Sequence, residues 1–527
     1  MKQNKQEERM NTAEFLSIAT AICPDKTAIV FEGNRYTFNQ LNERVNRLGN
    51  ALSNLGVQKG DRVAMLQVNT SQCVEAYFAI ARIGAIYVPL NFRAKGNELV
   101  YMLNSSESVA ILVGSRYIEL VNSIKPEIST VNTFISLDSK QDGYNYYEEI
   151  IKAASDDEVF TDIGDEDTTI LMYTAGTTGF PKGVMLPHNS FSIYVLENVT
   201  PADPVSEDSN ILTVPLYHVA GIQAMMAAIY GGRTLVMERQ FEAKEWMGLV
   251  QAEKVNRAMM VPTMLKLLID NPEFSSFDLS SLKVITYGAA PMPIEVIKKA
   301  IELFPGISFI NAFGQTETAS TITTVPPDDH DLSGTEAENA IKLKHLSSIG
   351  KPMADVEMKV ISEDGLDLPQ GDVGEIVARG PRVMSGYWKD EEKTDKTIDK
   401  DGWVHTGDIG YMDEDGYFYL AGRATDMIIR GGENISPEEV EGVLLSYPKI
   451  EDGAIIGVPD DEWGEVPMAV VVVKEGEEVT AEEIMEYCRV NLASFKRPRS
   501  VVFTDELPRN PMGKIIKKQL REQYGKS

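Results

Sequence analysis

The sequence is poor in cysteine and has no long apolar run. Only three cysteines occur among 527 residues, and Cys23, Cys73 and Cys488 lie far apart, in no metal-ligand spacing. This predicts a protein without disulfides, from a reducing compartment. No stretch approaches the ~18 apolar residues of a membrane-spanning helix, and the first ten residues lack the apolar segment of a signal peptide. We therefore expect a soluble cytoplasmic protein with no transmembrane segment.

Positive charge is also scarce. The chain has 50 Lys and Arg residues against 79 Asp and Glu residues, which gives a formal net charge of −29. Such an acidic excess works against binding DNA, RNA or an anionic lipid surface, so we expect no nucleic-acid partner. An anionic ligand would have to be held by local basic residues, backbone amides and a metal ion.

The first part of the chain alternates β-prone runs with amphipathic helical patterns. Residues 61–68 indicate a buried strand, and residues 74–90 indicate a helix that leads into another strand. This alternation predicts an α/β fold with largely parallel sheets. From about Asp355, short alternating segments separated by Asp-Gly turns predict a β-rich subdomain.

The end of the chain has a different pattern of predicted helices and strands. Ser436 with Pro437, and Thr480 further on, each begin a helix pattern with a glutamate placed to complete a capping box. With strands predicted over 454–458 and 467–473, these helices form a small α+β domain of about a hundred residues. We therefore predict a large domain over residues 1–422 and a small domain over 423–527.

The segment with the clearest chemistry is TTILMYTAGTTGFPKGVMLPH, residues 168–188. A β-prone run leads into a loop of glycines and threonines, where backbone amides and hydroxyls could approach a phosphate and Lys182 adds a positive charge. The loop is not a P-loop, because Pro181 precedes the lysine and Gly183 follows it. A flexible surface loop is the plain alternative, but the composition favours phosphate binding.

Five motifs, in order, resemble those of the adenylate-forming superfamily of acyl-CoA synthetases, luciferases and peptide-synthetase adenylation domains. They are the loop TAGTTGFPKG (174–183), NAFGQTET (311–318), HTGD (405–408), GRATDMIIRGGENISPEEVE (422–441) and LPRNPMGKI (507–515). The resemblance extends from about Pro24 to Lys518. It implies an N-terminal domain of α/β subdomains plus a β-barrel subdomain, a small mobile α+β C-terminal domain, and an active site between them.

The resemblance also implies ATP, Mg²⁺ and coenzyme A as ligands and assigns residues to them. Glu317 and Thr174 are expected to hold the metal ion, whose preference is for hard oxygen ligands. Asp408 and Arg423 are expected on the ribose, and Phe313 against adenine. The full nucleotide set is Thr174, Ala175, Gly176, Thr177, Thr178, Lys182, Gly288, Ala289, Ala290, Asn311, Phe313, Gly314, Thr316, Asp408 and Arg423. Without the resemblance, Phe313 would be an ordinary core aromatic, and Glu317, Asp408 and Arg423 would be surface charges.

The segment VPLYHVAG, residues 214–221, resembles the one that lines the acyl site in this superfamily. His218 is then expected to be a gate or a neighbour of the substrate carboxylate, although a lone histidine is more often a core residue. No carboxylate accompanies Tyr217, His218 and Val219. Because a buried ammonium group without a partner is costly, an amino-acid substrate is disfavoured.

The C-terminal lysine loop and the domain junction complete the expected site. Lys514 follows a turn stiffened by prolines and Gly513, and the resemblance places it on the reacting carboxylate and the α-phosphate. Gly431 and Gly432 are expected to leave room for the pantetheine arm of coenzyme A. At the hinge, where many relatives carry lysine or aspartate, this chain has Thr425.

The sequence therefore predicts an ATP-dependent ligase that joins a carboxylic acid, with a fatty acid as first choice, to coenzyme A through an acyl-adenylate. AMP and pyrophosphate are the expected products. Medium-chain, aromatic and alicyclic acids remain alternatives, as does transfer to a carrier-protein thiol, although no acceptor domain precedes the end at Ser527. A luciferase-like oxidation, a nucleotide-binding regulator without turnover, and a homodimer are left open.

Overall fold

The computed structural model describes residues 10–174, 181–423, 426–430, 433–460, 463–509 and 514–525, with the backbone alone at 423, 433 and 434. The strands are β1 (Thr27–Phe31), β2 (Asn34–Thr37), β3 (Arg62–Leu66), β4 (Ile86–Pro89), β5 (Ser108–Val113), β6 (Thr133–Ser136), β7 (Asn145–Tyr146), β8 (Thr168–Thr174), β9 (Lys182–Pro187), β10 (Ser209–Leu212), β11 (Thr234–Met237), β12 (Arg257–Met260), β13 (Val284–Gly288), β14 (Ser308–Gln315), β15 (Ser320–Val325), β16 (Lys351–Pro352), β17 (Glu357–Ile361), β18 (Gly374–Arg379), β19 (Gly386–Tyr387), β20 (Val404–Met412), β21 (Phe418–Arg423), β22 (Ile428–Arg430), β23 (Glu433–Ile435), β24 (Ile450–Asp460), β25 (Gly464–Val473) and β26 (Ser500–Phe503).

The helices lie mostly between these strands. They are α1 (Glu14–Ile22), α2 (Phe38–Asn54), α3 (Ser71–Arg82), α4 (Gly96–Ser106), α5 (Ile118–Ile124), α6 (Tyr147–Ala153), α7 (His188–Asn198), α8 (Val219–Tyr230), α9 (Ala243–Glu253), α10 (Pro262–Ile269), α11 (Ile294–Leu303), α12 (Pro327–His330), α13 (Glu336–Leu346), α14 (Glu391–Thr397), α15 (Pro437–Leu445), α16 (Ala481–Asn491) and α17 (Lys517–Tyr524). Within the described ranges, no helix combines the length and the apolarity needed to cross a membrane.

Two mixed sheets organise the first part of the chain, and they confirm the predicted α/β class. One has the order β19-β9-β8-β4-β3-β5-β6-β7, and the other β16-β15-β14-β13-β12-β10-β11-β1-β2. The central strands pair in parallel, whereas β8 with β9 and β14 with β15 are antiparallel. Apolar side chains of helices and strands bury the faces of both sheets, as parallel sheets require.

The β-rich region predicted after Asp355 forms an antiparallel sheet of order β17-β18-β20-β21. Three of its strands coincide with the alternating segments in the sequence. The fourth, β20, was not predicted; it contains the HTGD motif and runs between β18 and β21. The motif is therefore held by pairing on both sides and does not lie in a loop.

The last part of the chain forms a sheet of order β23-β22-β25-β24, with β26 added parallel to β25. The capping box at Thr480 is complete. At Ser436 only half forms, because the carboxylate of Glu439 binds the Lys496 ammonium instead. An ion pair between Lys266 on α10 and Glu451 on β24 links this part to the large α/β region.

Candidate active site

The two ends of the Thr/Gly-rich loop are held side by side. Thr174, the last residue of β8, pairs with Lys182, the first residue of β9. Lys182 was predicted within the loop but begins the second strand of a hairpin. Ala175, Gly176, Thr177 and Thr178 lie outside the described residues.

Glu317 follows β14 in a short 3₁₀ turn, Thr316–Thr318. Its Oε1 accepts a hydrogen bond of 2.8 Å from the Tyr387 hydroxyl, and its carbonyl accepts one of 2.9 Å from the Met384 amide. In the described part of the chain, Oε2 accepts none. A fixed carboxylate with one oxygen uncommitted is the kind of hard ligand that Mg²⁺ prefers, so this residue fits the metal.

Tyr387 connects Glu317 to Lys182. It lies in β19, which pairs with β9 immediately after the lysine, with Tyr387 opposite Val184. The Lys182 ammonium lies 5.1 Å from the centre of the tyrosine ring, a cation–π distance. Burial, with the charge of Glu317 as the second cause, raises the pKa of Tyr387, so its hydroxyl stays protonated and donates. The expected metal ligand and the expected phosphate lysine are thus brought together through one ring.

Gln315 makes a second link, toward the HTGD strand. Its side-chain amide donates to Asp408 Oδ2 at 2.6 Å and to the Thr406 carbonyl at 3.0 Å. Asp408 is only 3% exposed, and it lies directly opposite position 423 across β20 and β21. The Arg423 side chain lies outside the description. Because Gln315 and Glu317 are two residues apart, the same turn fixes the expected ribose and metal carboxylates.

Glu375 on β18 fixes the HTGD backbone. Its Oε1 accepts the Gly407 amide at 3.1 Å, and its Oε2 lies 2.8 Å from Nδ1 of His405. These contacts immobilise the residues on either side of Thr406, which itself donates to the Ile376 carbonyl at 2.6 Å. Asp408 is thus presented on a strand whose conformation is set by two neighbours.

The residues expected around adenine lie on the parallel strands β13 and β14. Gly288 faces Ala312, and a Cβ there would come within 2.0 Å of the Ala312 carbonyl oxygen, so only glycine fits. Ala289 is exposed and has a φ of 67°. Phe313 is half-buried and packs against apolar residues of the β17–β21 sheet.

The remaining predicted nucleotide residues take structural positions beside these. Asn311 donates to the Ser348 carbonyl at 3.4 Å. Gly314 lies at a bulge opposite Thr321, and a Cβ there would lie 1.5 Å from the Ser320 carbonyl oxygen. Ala290 follows Ala289 in the loop after β13, and Thr316 opens the turn that carries Glu317.

His218 precedes α8 and is half-buried beside the buried Tyr217. Burial, helped by the charge of Arg93, lowers the pKa of His218 to about 3, so the imidazole is neutral at physiological pH. Within the described chain, His218 Nε2 and the Tyr217 hydroxyl are buried without a hydrogen-bond partner. The Tyr217 ring packs edge-on against Phe92, with ring centres 5.1 Å apart.

Gln223, one turn into α8, joins this segment to β15. Its Oε1 accepts the Thr321 hydroxyl at 3.1 Å, and its Nε2 is again buried with no partner among the described residues. Since Thr321 lies opposite Gly314, the segment that contains His218 contacts the same β14–β15 hairpin that leads to Glu317.

Lys514 is exposed, just before α17. Gly431, Gly432 and the hinge residue Thr425 lie outside the described residues. The ammonium of Lys517 is almost buried and lies between the carboxylates of Glu441, at 2.9 Å, and Glu438, at 3.6 Å. The first residue of helix α17 is therefore held in place by an ion pair.

Sequence reasoning missed Tyr387, Gln315 and Glu375. Gln315 lies inside a recognised motif, but only its contact with Asp408, 93 residues away, gives it a role. Tyr387 and Glu375 lie in segments that no motif covered. The one signal for Tyr387 was a Gly-Tyr-Trp run followed by a charged helix.

Comparison with known proteins gives matches over nearly the whole chain. Residues 18–388 match the model of the AMP-binding enzyme family, and residues 439–514 match that of the AMP-binding enzyme C-terminal domain. A feruloyl-CoA synthase of an Amycolatopsis species is 34% identical over 503 residues, which cover 95% of this chain and 96% of the relative. A long-chain-fatty-acid–CoA ligase of Mycobacterium tuberculosis is 34% identical over 493 residues, 93% of each chain. The crystal structure of an anthranilate CoA ligase in complex with anthranoyl-AMP superposes with a TM-score of 0.88 at 27% identity, covering 98% of this chain and 97% of that one.

Proposed function

Because the chain belongs to the AMP-binding enzyme family, we propose that it joins a carboxylic acid to coenzyme A through an acyl-adenylate, with release of AMP and pyrophosphate. It is in these terms an AMP-forming acid–thiol ligase. Relatives that align with nearly the whole chain are named as CoA synthases and ligases, which supports coenzyme A as the acyl acceptor.

One observation carries the proposal. Residues at the end of β14 and in the turn after it position two carboxylates, one expected on the ribose and one on the metal ion. Gln315 holds Asp408 from one side of this turn, while Glu317 on the other side is held by Tyr387, beside Lys182. We call Gln315, Glu317, Tyr387 and Asp408 the nucleotide edge. Two carboxylates held separately in this way suit a ligand with a ribose at one end and metal-bound phosphates at the other.

In the first half-reaction, the substrate carboxylate attacks the α-phosphorus of ATP and pyrophosphate leaves. Magnesium held by Glu317 and Thr174 would neutralise charge on the phosphates. Lys182 would bind them as a point charge, and Asp408 would accept hydrogen bonds from the ribose hydroxyls, as an acidic residue does in dinucleotide folds. Tyr387 and Gln315 hold Glu317 and Asp408 without any ligand, and such preorganisation supports electrostatic stabilisation of a transition state.

The second half-reaction would use the small domain in a different position. Lys514 would serve adenylation, and a rotation near Thr425 would replace it with Gly431 and Gly432, whose small size leaves room for pantetheine. The thiol of coenzyme A then attacks the carbonyl carbon of the mixed anhydride, and AMP leaves. Exchange of two faces of one domain is a familiar form of gating.

For the acid, we propose a monocarboxylic acid with an apolar body, a fatty acid first and an aromatic acid second. The residues 214–223, which we call the acyl segment, contain a neutral His218 and no carboxylate, so an α-ammonium group would find no partner there. Relatives of nearly equal identity are named for ferulate, indoleacetate and long-chain fatty acids, which supports both fatty acids and aromatic acids as candidate substrates. We propose that the enzyme acts in the cytoplasm.

The test is pyrophosphate release across a panel of acids, with and without coenzyme A. The panel should span fatty acids of increasing length, cinnamate-like and indole acids, and amino acids as controls. We expect release with apolar acids, and a thioester detectable by mass only when coenzyme A is present. An adenylate that coenzyme A never accepts would favour a carrier-protein thiol, and no release with any acid would favour a regulator without turnover.

A further inference from the structure

Two lysine ammonium groups lie against the ring of Tyr387. Lys182 Nζ is 5.1 Å from the ring centre, and Lys393 Nζ is 5.9 Å from it. Lys182 begins β9, directly after the Thr/Gly-rich loop, whereas Lys393 lies on α14, more than 200 residues later in the chain. Both side chains are half-buried. The tyrosine hydroxyl donates to Glu317, so the ring that both cations approach is hydrogen-bonded to the expected metal ligand.

This arrangement is unfavourable for the protein alone. Two like charges beside one ring repel each other, and because both side chains are half-buried, water screens that repulsion less than it would on an open surface. In the described part of the chain, no carboxylate lies within ion-pair distance of either group. Glu317 and Asp390 act on Lys182 only from farther away.

A neighbour on the same helix shows the ordinary alternative. Lys396 pairs with Glu392 at 2.6 Å, one turn away, and both side chains are mostly exposed. Lys393 has no such partner among the described residues and turns toward the Tyr387 ring instead. The helix therefore has one lysine in a surface ion pair and one directed at another cation.

We propose that Lys393 is a second phosphate-binding cation, which acts with Lys182 on the β- and γ-phosphates of ATP and on the pyrophosphate product. The inference rests on the proposed function. A triphosphate carries more negative charge than one divalent metal ion neutralises, and two ammonium groups supply the remainder. The bound anion in turn offsets the repulsion between the two lysines. Both lysines therefore contact the β- and γ-phosphates, which leave as pyrophosphate.

Equilibrium binding of three ligands to the whole protein distinguishes contacts with the β- and γ-phosphates from contacts with the AMP part of the nucleotide. Mg-ATP, Mg-pyrophosphate and AMP are titrated by calorimetry into the wild type, Lys393→Ala and Lys393→Arg, with Lys396→Ala as the matched control. Loss of one charge-assisted contact should weaken ATP and pyrophosphate binding by roughly tenfold. AMP binding should be unchanged. Lys393→Arg should retain most of the affinity, and Lys396→Ala all of it.

Each other outcome has a distinct meaning. Equal weakening for AMP and ATP, or no weakening for either, would overturn the role of Lys393 while leaving the proposed function intact. A wild type that binds neither nucleotide would overturn the proposed function, and this inference with it. If Lys393→Ala lowers the melting temperature, Lys393→Gln removes the charge while keeping a stem to pack on Tyr387, and the same comparison then decides.

Discussion

The nucleotide edge and the acyl segment both place polar side-chain atoms in partly or fully buried positions, but these polar groups are satisfied in opposite ways. In the nucleotide edge, Gln315 and Tyr387 donate to the carboxylates of Asp408 and Glu317 at 2.6 and 2.8 Å. In the acyl segment, the Tyr217 hydroxyl, His218 Nε2 and Gln223 Nε2 have no partner within the described chain. One region is held by its own hydrogen bonds, and the other is not.

Under the proposed function, this difference predicts which substrate each region binds. A buried polar group without a partner costs about 1–3 kcal/mol, so three within seven residues call for a functional explanation. ATP is the same in every turnover, and a fixed site for it needs no adjustment. The acid is the part that varies among relatives, and polar atoms not committed to the protein remain available to it. Under the proposed function, we therefore expect the nucleotide edge to affect the rate and the acyl segment to affect the choice of acid.

The largest expected effect comes from Lys514, which lies in neither region. If it acts only on the adenylating conformation, Lys514→Ala removes a donor from the first half-reaction alone. Loss of one preorganised donor typically costs roughly 3–4 kcal/mol, or about a hundred- to thousandfold in rate. Acyl-AMP formation should fall by that factor for every acid. Thioester formation from synthetic acyl-adenylate and coenzyme A should stay near the wild-type rate.

Two results would contradict this division. Equal losses in both half-reactions would mean that Lys514 supports the fold or a general binding step. No loss in either would remove Lys514 from the reaction. The neighbouring Lys518, also exposed, is the control, and Lys518→Ala should leave both half-reactions unchanged.

Tyr387→Phe tests the partnered region with the loss of a single oxygen atom. The ring remains for Lys182 to pack against, but Glu317 loses the donor that orients its carboxylate. Outer-shell partners of this kind typically change metal affinity by about 10–100-fold, and we expect the lower end because the Glu317 backbone stays fixed by Met384. A Mg²⁺ titration of pyrophosphate release measures the shift. A lowered melting temperature with an unchanged titration would make the hydroxyl structural only.

The sequence predicts what is local in the fold. Strand–helix alternation is enough to assign the α/β class, and the complete capping box at Thr480 uses residues three apart. The prediction failed at Ser436, because Glu439 binds Lys496, 57 residues away, rather than the nearby backbone. Strand β20 was missed because its neighbours β18 and β21, not its own pattern, hold HTGD extended.

The candidate site, like the fold, could be predicted from the sequence only where the signal is local. Residue types in the motifs indicate the ligands for which Glu317, Asp408 and Lys182 are suited. They do not indicate that Gln315 holds Asp408 across 93 residues, or that Tyr387 holds Glu317 across 70. Such contacts depend on the packing of separate sheets, and a single sequence contains no local signal for them.

Tyr217→Phe is the matched counterpart of Tyr387→Phe and should have the smallest effect. Both tyrosines are buried, at 7% and 4% exposure, and both changes remove one hydroxyl. The Tyr217 hydroxyl has no partner in the described chain, so its removal leaves no other group unsatisfied, and edge-on packing with Phe92 is kept. We expect the free energy of unfolding to be unchanged or to rise by up to about 1 kcal/mol. The Mg²⁺ titration and the KM for ATP should not move, while the KM should change only for those acids that bind the hydroxyl. Thermal melts and acid-by-acid kinetics measure both. If Tyr217→Phe instead slowed adenylation of every acid and weakened the response to Mg²⁺, the two regions would not be separate, and choice of acid and rate would depend on one coupled network.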